Sequence, residues 1–121
     1  MPLNSHKDLI VWQRAMELAK SVYQLTETFP ATERFGLISQ TRKSAVSIPS
    51  NIAEGRARGT RKDFSNFLRI AYGSASELET QIELSQSLSF GVDTRYNKTK
   101  TLLIETLRML NAMLGKLEAK S

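Results

Sequence analysis

The sequence predicts an all-α chain folded as an antiparallel up-down-up-down four-helix bundle, and three observations carry that prediction. Apolar residues recur at intervals of three and four in four separate stretches. Pro30, the residues around Gly59, and Gly91 separate those stretches by short breaks. Gly is 6 and Pro is 3 in 121 residues, too few for the turns of an all-β domain. Amphipathic helices of similar length joined by short loops pack antiparallel. With 40% hydrophobic and 24% charged residues, the chain reads as one domain over residues 1–121, without linker, repeat or low-complexity tract.

The first helix is predicted from about Lys7 to Phe29. Leu9, Trp12, Met16, Ala19 and Tyr23 form one stripe, and Val11, Ala15, Leu18, Val22 and Leu25 a second beside it. Together they cover about 200° of the helical wheel. The outer helix of a monomeric bundle needs a stripe of only about 100°. The excess predicts a second interface, within the fold or between chains.

The second helix follows Pro30, with Thr32 as its N-cap, and reaches about Arg58. Its stripe of Ile38, Thr41, Ala45, Ile48, Ile52 and Gly55 is small, so a neighbour can come close. Pro49 lies mid-helix, where it removes an amide donor and crowds the Ala45 carbonyl. The period continues across it, which predicts a helix kinked at Pro49 rather than broken. Ser44, Ser47 and Ser50 are expected to ease the defect by bonding back to nearby carbonyls.

Thr60 is predicted to cap the third helix, with Asp63 three residues on. Phe64, Leu68, Ala71, Ala75, Leu78 and Ile82 form its stripe, flanked by Phe67, Ile70 and Leu84. Gly73-Ser74 interrupts it and is expected to mark close packing against the second helix. The fourth helix, from about Asp93 to Ala119, presents Leu103, Leu107, Leu110, Leu114 and Leu117, with Ile104 and Met113 alongside. Gln40, Asn51, Glu54, Glu77 and Gln81 are expected to form a polar network between helices.

The inventory excludes several chemistries. Cysteine is absent, which removes disulfides, thiolate zinc sites and a cysteine nucleophile. His6 is the single histidine, so neither a His-based triad nor a Glu-x-x-His metal pair can be built. There is no G-x-x-x-x-G-K-[ST] loop and no G-x-S-x-G elbow. The expectation is a protein without catalytic residues, metal, cofactor or small-molecule substrate. No stretch approaches the roughly 20 apolar residues of a membrane span. The opening MPLNSHKDLIVW does not read as a secretory leader. A cytoplasmic protein away from the membrane is expected.

The net charge of +5 is unevenly placed. Residues 42–69 hold Arg42, Lys43, Arg56, Arg58, Arg61, Lys62 and Arg69 against Glu54 and Asp63, a net +5. Residues 70–94 hold Glu77, Glu79, Glu83 and Asp93 with no base, a net −4. The basic cluster falls at the junction of the second and third helices, where long side chains fan outward beside a helix N-terminus. It reads either as a phosphate-contact surface or as a solvated corner whose arginines pair with Glu77, Glu79 and Glu83. Trp12, Tyr23, Tyr72 and Tyr96 lie in apolar stripes or at a helix start and read as packing residues.

Several runs carry a family resemblance. Trp12 is followed by Phe29-Pro30 before Glu33-x-Phe-Gly-Leu37, then by Ser39-Gln40 and Arg42. Next come Ser47-Ile-Pro-Ser-Asn-Ile-Ala-Glu-Gly55, Phe64, Phe67-Leu68, Ile70-Ala71, Gly73-Ser74 and Glu77-Leu-Glu-Thr-Gln81. In order and spacing, residues 8–90 resemble the bacterial four-helix bundle family, also called the ribosomal RNA intervening-sequence protein family. The resemblance implies a left-handed up-and-down bundle that assembles as a homopentamer, without enzymatic activity. It also implies kinship with the accessory protein of diversity-generating retroelements, a basic pentamer that binds nucleic acid and a reverse transcriptase. No family binding residue is carried over.

The combined expectation is a homopentameric RNA- or DNA-binding protein. Arg56, Arg58, Arg61, Lys62 and Arg69 would contact phosphates, joined by Lys98 and Lys100 if the fourth helix shares that surface. The alternative is a scaffold that docks a partner, such as a reverse-transcriptase-like enzyme, without touching nucleic acid.

Overall fold

A computed structural model of the chain describes residues 5–119. Four helices, α1 (Ile10–Thr26), α2 (Ser39–Arg58), α3 (Arg61–Ser87) and α4 (Tyr96–Ala119), pack antiparallel, and the described residues contain no strand. Each helix contacts its neighbour in sequence, and α4 closes the ring against α1. No helix among the described residues is long and apolar enough to cross a membrane.

The core is made by one stripe from each helix. Val11, Ala15, Leu18, Val22 and Leu25 of α1 are buried, as are Thr41, Ala45, Ile48, Ile52 and Gly55 of α2. The α3 stripe from Phe64 to Ile82 is buried in full. The α4 stripe is rotated from expectation: Leu103, Leu110 and Leu114 are buried, but Tyr96, Thr99, Leu102 and Thr106 join them. The two threonines are admitted because their hydroxyls are satisfied. Thr99 Oγ1 lies 2.6 Å from Ser21 Oγ, and Thr106 donates to the Leu102 carbonyl at 2.8 Å.

The helix starts correct three expected boundaries, one of them in α4, which begins at Tyr96 rather than Asp93 because Asp93–Arg95 form a separate 3-10 turn. α1 begins at Ile10, not Lys7, because Leu9 is extended (φ −79°, ψ 125°) and His6–Asp8 form a separate 3-10 turn capped by Ser5. Thr32 is not the N-cap of α2. Ala31–Glu33 make a 3-10 turn and Arg34–Ile38 a wide π-type turn, broken at Gly36 (φ −108°, ψ −116°). There the Glu33 carboxylate accepts the Leu37 amide at 3.2 Å, and regular helix follows from Ser39. α2 then runs through Pro49 to Arg58.

The contact between α2 and α3 is the most extensive in the bundle. A methyl on Gly55 would lie 2.6 Å from Phe67 Cβ, so the backbones approach as closely as the small stripe allows. The expected back-bonding of the α2 serines gives way to contacts across this seam. Ser44 donates to Glu77 Oε1 at 3.3 Å, and Ser47 Oγ meets Ser74 Oγ at 2.8 Å. Asn51 supplies the backbone contact instead, donating to the Ser47 carbonyl at 2.8 Å. Glu54 stands outside this network, paired with Arg58. Gly73 does not serve the seam, since a methyl there would meet nothing within 4 Å; Ser74 does.

At the opposite end of the bundle, Phe29 packs against Phe90 and Tyr96, and the Tyr96 hydroxyl donates to the Phe90 carbonyl at 2.7 Å. Burial, with the nearby Asp93 charge, pushes the Tyr96 phenol up to about 12.

Candidate nucleic-acid interface

The end of the bundle formed by the α2–α3 turn gathers the basic residues. Gly59 takes the left-handed conformation (φ 85°) that ends α2, and Thr60 caps α3 at once, accepting the Asp63 amide at 3.1 Å. The reversal takes two residues. It sets Arg56 and Arg58, in the last turn of α2, beside Arg61 and Lys62, in the first turn of α3. The start of α3 also brings the positive end of its dipole, partly offset by Asp63.

Two aromatic rings from α3 lie under the arginines. The Arg56 guanidinium is 5.8 Å from the Phe64 ring centre, and that of Arg58 is 4.9 Å from Phe67. Such stacking orders the long side chains while their polar edges stay wet. A cleft of about 490 Å³ opens here, lined by Gly55, Arg56, Gly59, Thr60, Arg61, Phe64 and Leu117. A second depression beside it is lined by Arg61, Lys62, Ser65, Asn66 and Glu118. Both combine cationic walls with hydrogen-bonding groups, which suits a phosphodiester.

The candidate cations differ in how free they are. Arg61 and Lys62 are exposed and form no ion pair among the described residues. Arg58 is paired with Glu54 at 2.8 Å on the exposed surface, and Arg69 with Glu118 of α4. Neither pairing is the expected one with Glu77, Glu79 or Glu83. Lys98 and Lys100 stand elsewhere. They belong to the start of α4, and α3 separates that end from the basic turn by roughly 40 Å at 1.5 Å per residue. Lys100 pairs with Glu83 at 3.2 Å. Lys116, which charge clustering along the sequence did not single out, lies in the last turn of α4 next to Leu117, at the basic end.

The stripe of α1 that carries Trp12 and Met16 meets a different surface. Trp12 and Met16 are half-buried and line an apolar groove of about 370 Å³ with Val46, Pro49 and Ala53 of α2. Phe35, in the α1–α2 connection, is 90% exposed.

Comparison with known proteins adds three findings. The family model of the 23S rRNA-intervening sequence protein matches residues 7–112. A crystal structure of a protein of unknown function from the S23 ribosomal protein family of Bacteroides thetaiotaomicron superposes with a TM-score of 0.76 at 25% identity. The match covers 87% of this chain and 98% of that one. No curated protein matches.

Proposed function

Because the chain belongs to the 23S rRNA-intervening sequence protein family, whose model matches residues 7–112, we propose that it is a non-catalytic cytoplasmic nucleic-acid-binding protein that works as a homopentamer. The observation that carries the binding half of this reading is the cleft at the α2–α3 turn. Arg56 and Arg61 line its wall, Lys62 is next to it, and Phe64 contributes apolar surface. Contacts of this kind neutralise phosphates without reading bases, so the preference among sequences is weak. The assembly half is supported by the α1–α2 groove and the bare ring of Phe35. Several basic ends on one particle would bind multivalently.

Salt-dependent binding tests the first half. Replacing Arg61 and Lys62 with alanine removes two cations that form no ion pair among the described residues. The slope of log affinity against log salt then flattens by about 1.4 to 1.8 for RNA or DNA. Unchanged affinity and slope would refute the interface. A sedimentation mass near 13.6 kDa at micromolar concentration would refute the assembly.

The α1–α2 groove favours a second reading, a scaffold that docks a protein partner such as a reverse-transcriptase-like enzyme. In that case binding to the partner is insensitive to salt and to the Arg61 and Lys62 changes, but fails when Trp12 is replaced by alanine.

A further inference from the structure

The end of the bundle opposite the basic turn carries a second cationic surface of a different kind. Beside the α1–α2 connection, a depression of about 520 Å³ is lined by Tyr23, Phe35 and Ser39 together with Arg34, Arg42 and Lys43. The 20 residues of α2 set the two surfaces roughly 30 Å apart. None of the three cations forms an ion pair among the described residues, although Lys43 also borders Glu77. Of the acids nearest in sequence, Glu33 is engaged with the Leu37 amide and Glu27 does not line the depression.

Phe35 is displayed by a built turn. Glu33 Oε1 accepts the Leu37 amide at 3.2 Å, and a methyl on Gly36 would lie 2.8 Å from that same oxygen, so the glycine lets the carboxylate close over the turn. The ring then stands 90% exposed. In the same depression the Arg42 guanidinium lies 4.4 Å from the Tyr23 ring centre, held there by its bond to Thr26 Oγ1 at 2.8 Å.

An open ring, a fixed guanidinium plane and unpaired cations are the parts from which single-strand nucleic-acid sites are made. Bases stack on the flat groups while the cations take the phosphates. The basic turn lacks the first of these parts, since Phe64 is buried there and Phe67 lies beneath Arg58. A paired base has both faces covered by its neighbours in the stack, so an open ring selects unpaired bases. The neighbouring groove of Trp12 has no lysine or arginine in its lining and suits an apolar contact between copies; the cations mark Phe35 for an anionic ligand. We propose that the α1–α2 depression binds single-stranded nucleic acid, with an unpaired base stacked on Phe35 and the adjoining phosphates held by Arg34 and Lys43. This site does not depend on the reading of the basic turn.

Three probes test it on the full chain: a single-stranded oligothymidylate, an abasic strand of equal length, and a duplex. Phe35→Leu keeps an apolar side chain but removes the ring, and Phe35→Trp keeps a ring. The oligothymidylate is expected to bind the parent more tightly than the abasic strand does. Phe35→Leu weakens it about fivefold or more at every salt concentration, without changing the salt slope. The abasic strand and the duplex do not respond to Phe35→Leu, and Phe35→Trp retains the parent affinity for oligothymidylate. Replacing Arg34 and Lys43 with alanine instead flattens the slope for both single strands by about 1.4. The Phe35→Leu effect persists when Arg61 and Lys62 are alanine, which keeps this test separate from that of the basic turn. The proposal is overturned if the parent binds oligothymidylate no better than the abasic strand, or if Phe35→Leu binds it like the parent. It is equally overturned if Phe35→Leu lowers the sedimentation mass, since the ring would then be covered by a second copy of the chain.

Discussion

Two glycines in neighbouring helices offer a controlled test of the packing at the α2–α3 seam. Gly55→Ala and Gly73→Ala are the same chemical change, and each gains about 1 kcal/mol of intrinsic helix propensity. Their surroundings differ completely. A methyl on Gly73 meets nothing within 4 Å, so Gly73→Ala keeps the gain and stabilises the fold by about 1 kcal/mol. A methyl on Gly55 would stand 2.6 Å from Phe67 Cβ, 3.3 Å from Phe64 Cδ1 and 3.4 Å from Phe64 Cα. Phe67 Cβ is tied to the backbone, so relief comes only by moving α3 away by roughly 1 Å, which forfeits a quarter to a half of the dispersion energy in each neighbouring contact. Overpacking of this kind costs about 1–3 kcal/mol. The upper part of that range applies, because no flexible side-chain end can yield. After the propensity gain, Gly55→Ala is destabilised by about 1–2 kcal/mol. The two variants should therefore straddle the parent by about 2–3 kcal/mol, or roughly 10 °C in Tm for a chain of this size. Urea and thermal unfolding at one protein concentration read the difference, the fixed concentration holding any assembly constant. Shifts in the same direction for both variants would refute the reasoning.

Three further outcomes follow from particular contacts. Tyr96 keeps its proton to about pH 12 in the fold, against about 10 in the unfolded chain, so its contribution is intact below pH 10 and is lost as pH rises from 10 toward 12. Unfolding measured across that window should show a decline of roughly 2–3 kcal/mol, and Tyr96→Phe, already weaker by about 1 kcal/mol for its lost bond to the Phe90 carbonyl, should lack it. Thr60→Ala removes the α3 cap and should lose about 1 kcal/mol in urea unfolding, most of it retained in Thr60→Ser. Pro49→Ala should leave helical circular dichroism intact, since α2 already runs through that position; an unfolded variant would show that the helix depends on the proline.

Much of the fold was legible because each helix announces itself locally. The intervals of three and four mark the buried stripe of α3 from Phe64 to Ile82 and that of α2 from Thr41 to Gly55, though Ile38, predicted to open the α2 stripe, lies before the helix and is only partly buried, and Gly59-Thr60 combines a left-handed stop with a capping start. What failed concerns the partner of a face rather than the face itself. Ser44 and Ser47 have the spacing of hydroxyls that bond back along a helix, and nothing local distinguishes this from a bond to Ser74 or Glu77, some 30 residues on. Thr99 and Thr106 look like surface residues until Ser21 and the Leu102 carbonyl are seen to satisfy them. Gly73 resembles Gly55 in sequence, and only the direction each faces separates an open position from a crowded one.

The same limit governs the basic end. Placing Lys98 and Lys100 near the α2–α3 turn conflicts with the up-down order of the helices, which sends the start of α4 to the far end; helix lengths alone could have corrected it. The pairing of Arg58 with Glu54 is a local i,i+4 contact and equally legible. The pairing of Arg69 with Glu118 spans 49 residues and is not. These pairs do not remove the two arginines from an interface. Their side chains remain about half exposed, and exposed ion pairs contribute only about 0–1 kcal/mol, so a phosphate oxygen can replace the carboxylate at little net cost. The exchange still releases no cation from the protein side that was free to begin with, and it leaves a bare carboxylate near the nucleic acid. Arg61 and Lys62 carry no such penalty. If the basic end binds nucleic acid as proposed, Arg61 and Lys62 would dominate the salt slope, while Arg58 and Arg69 would act as a reserve engaged once the backbone is already held.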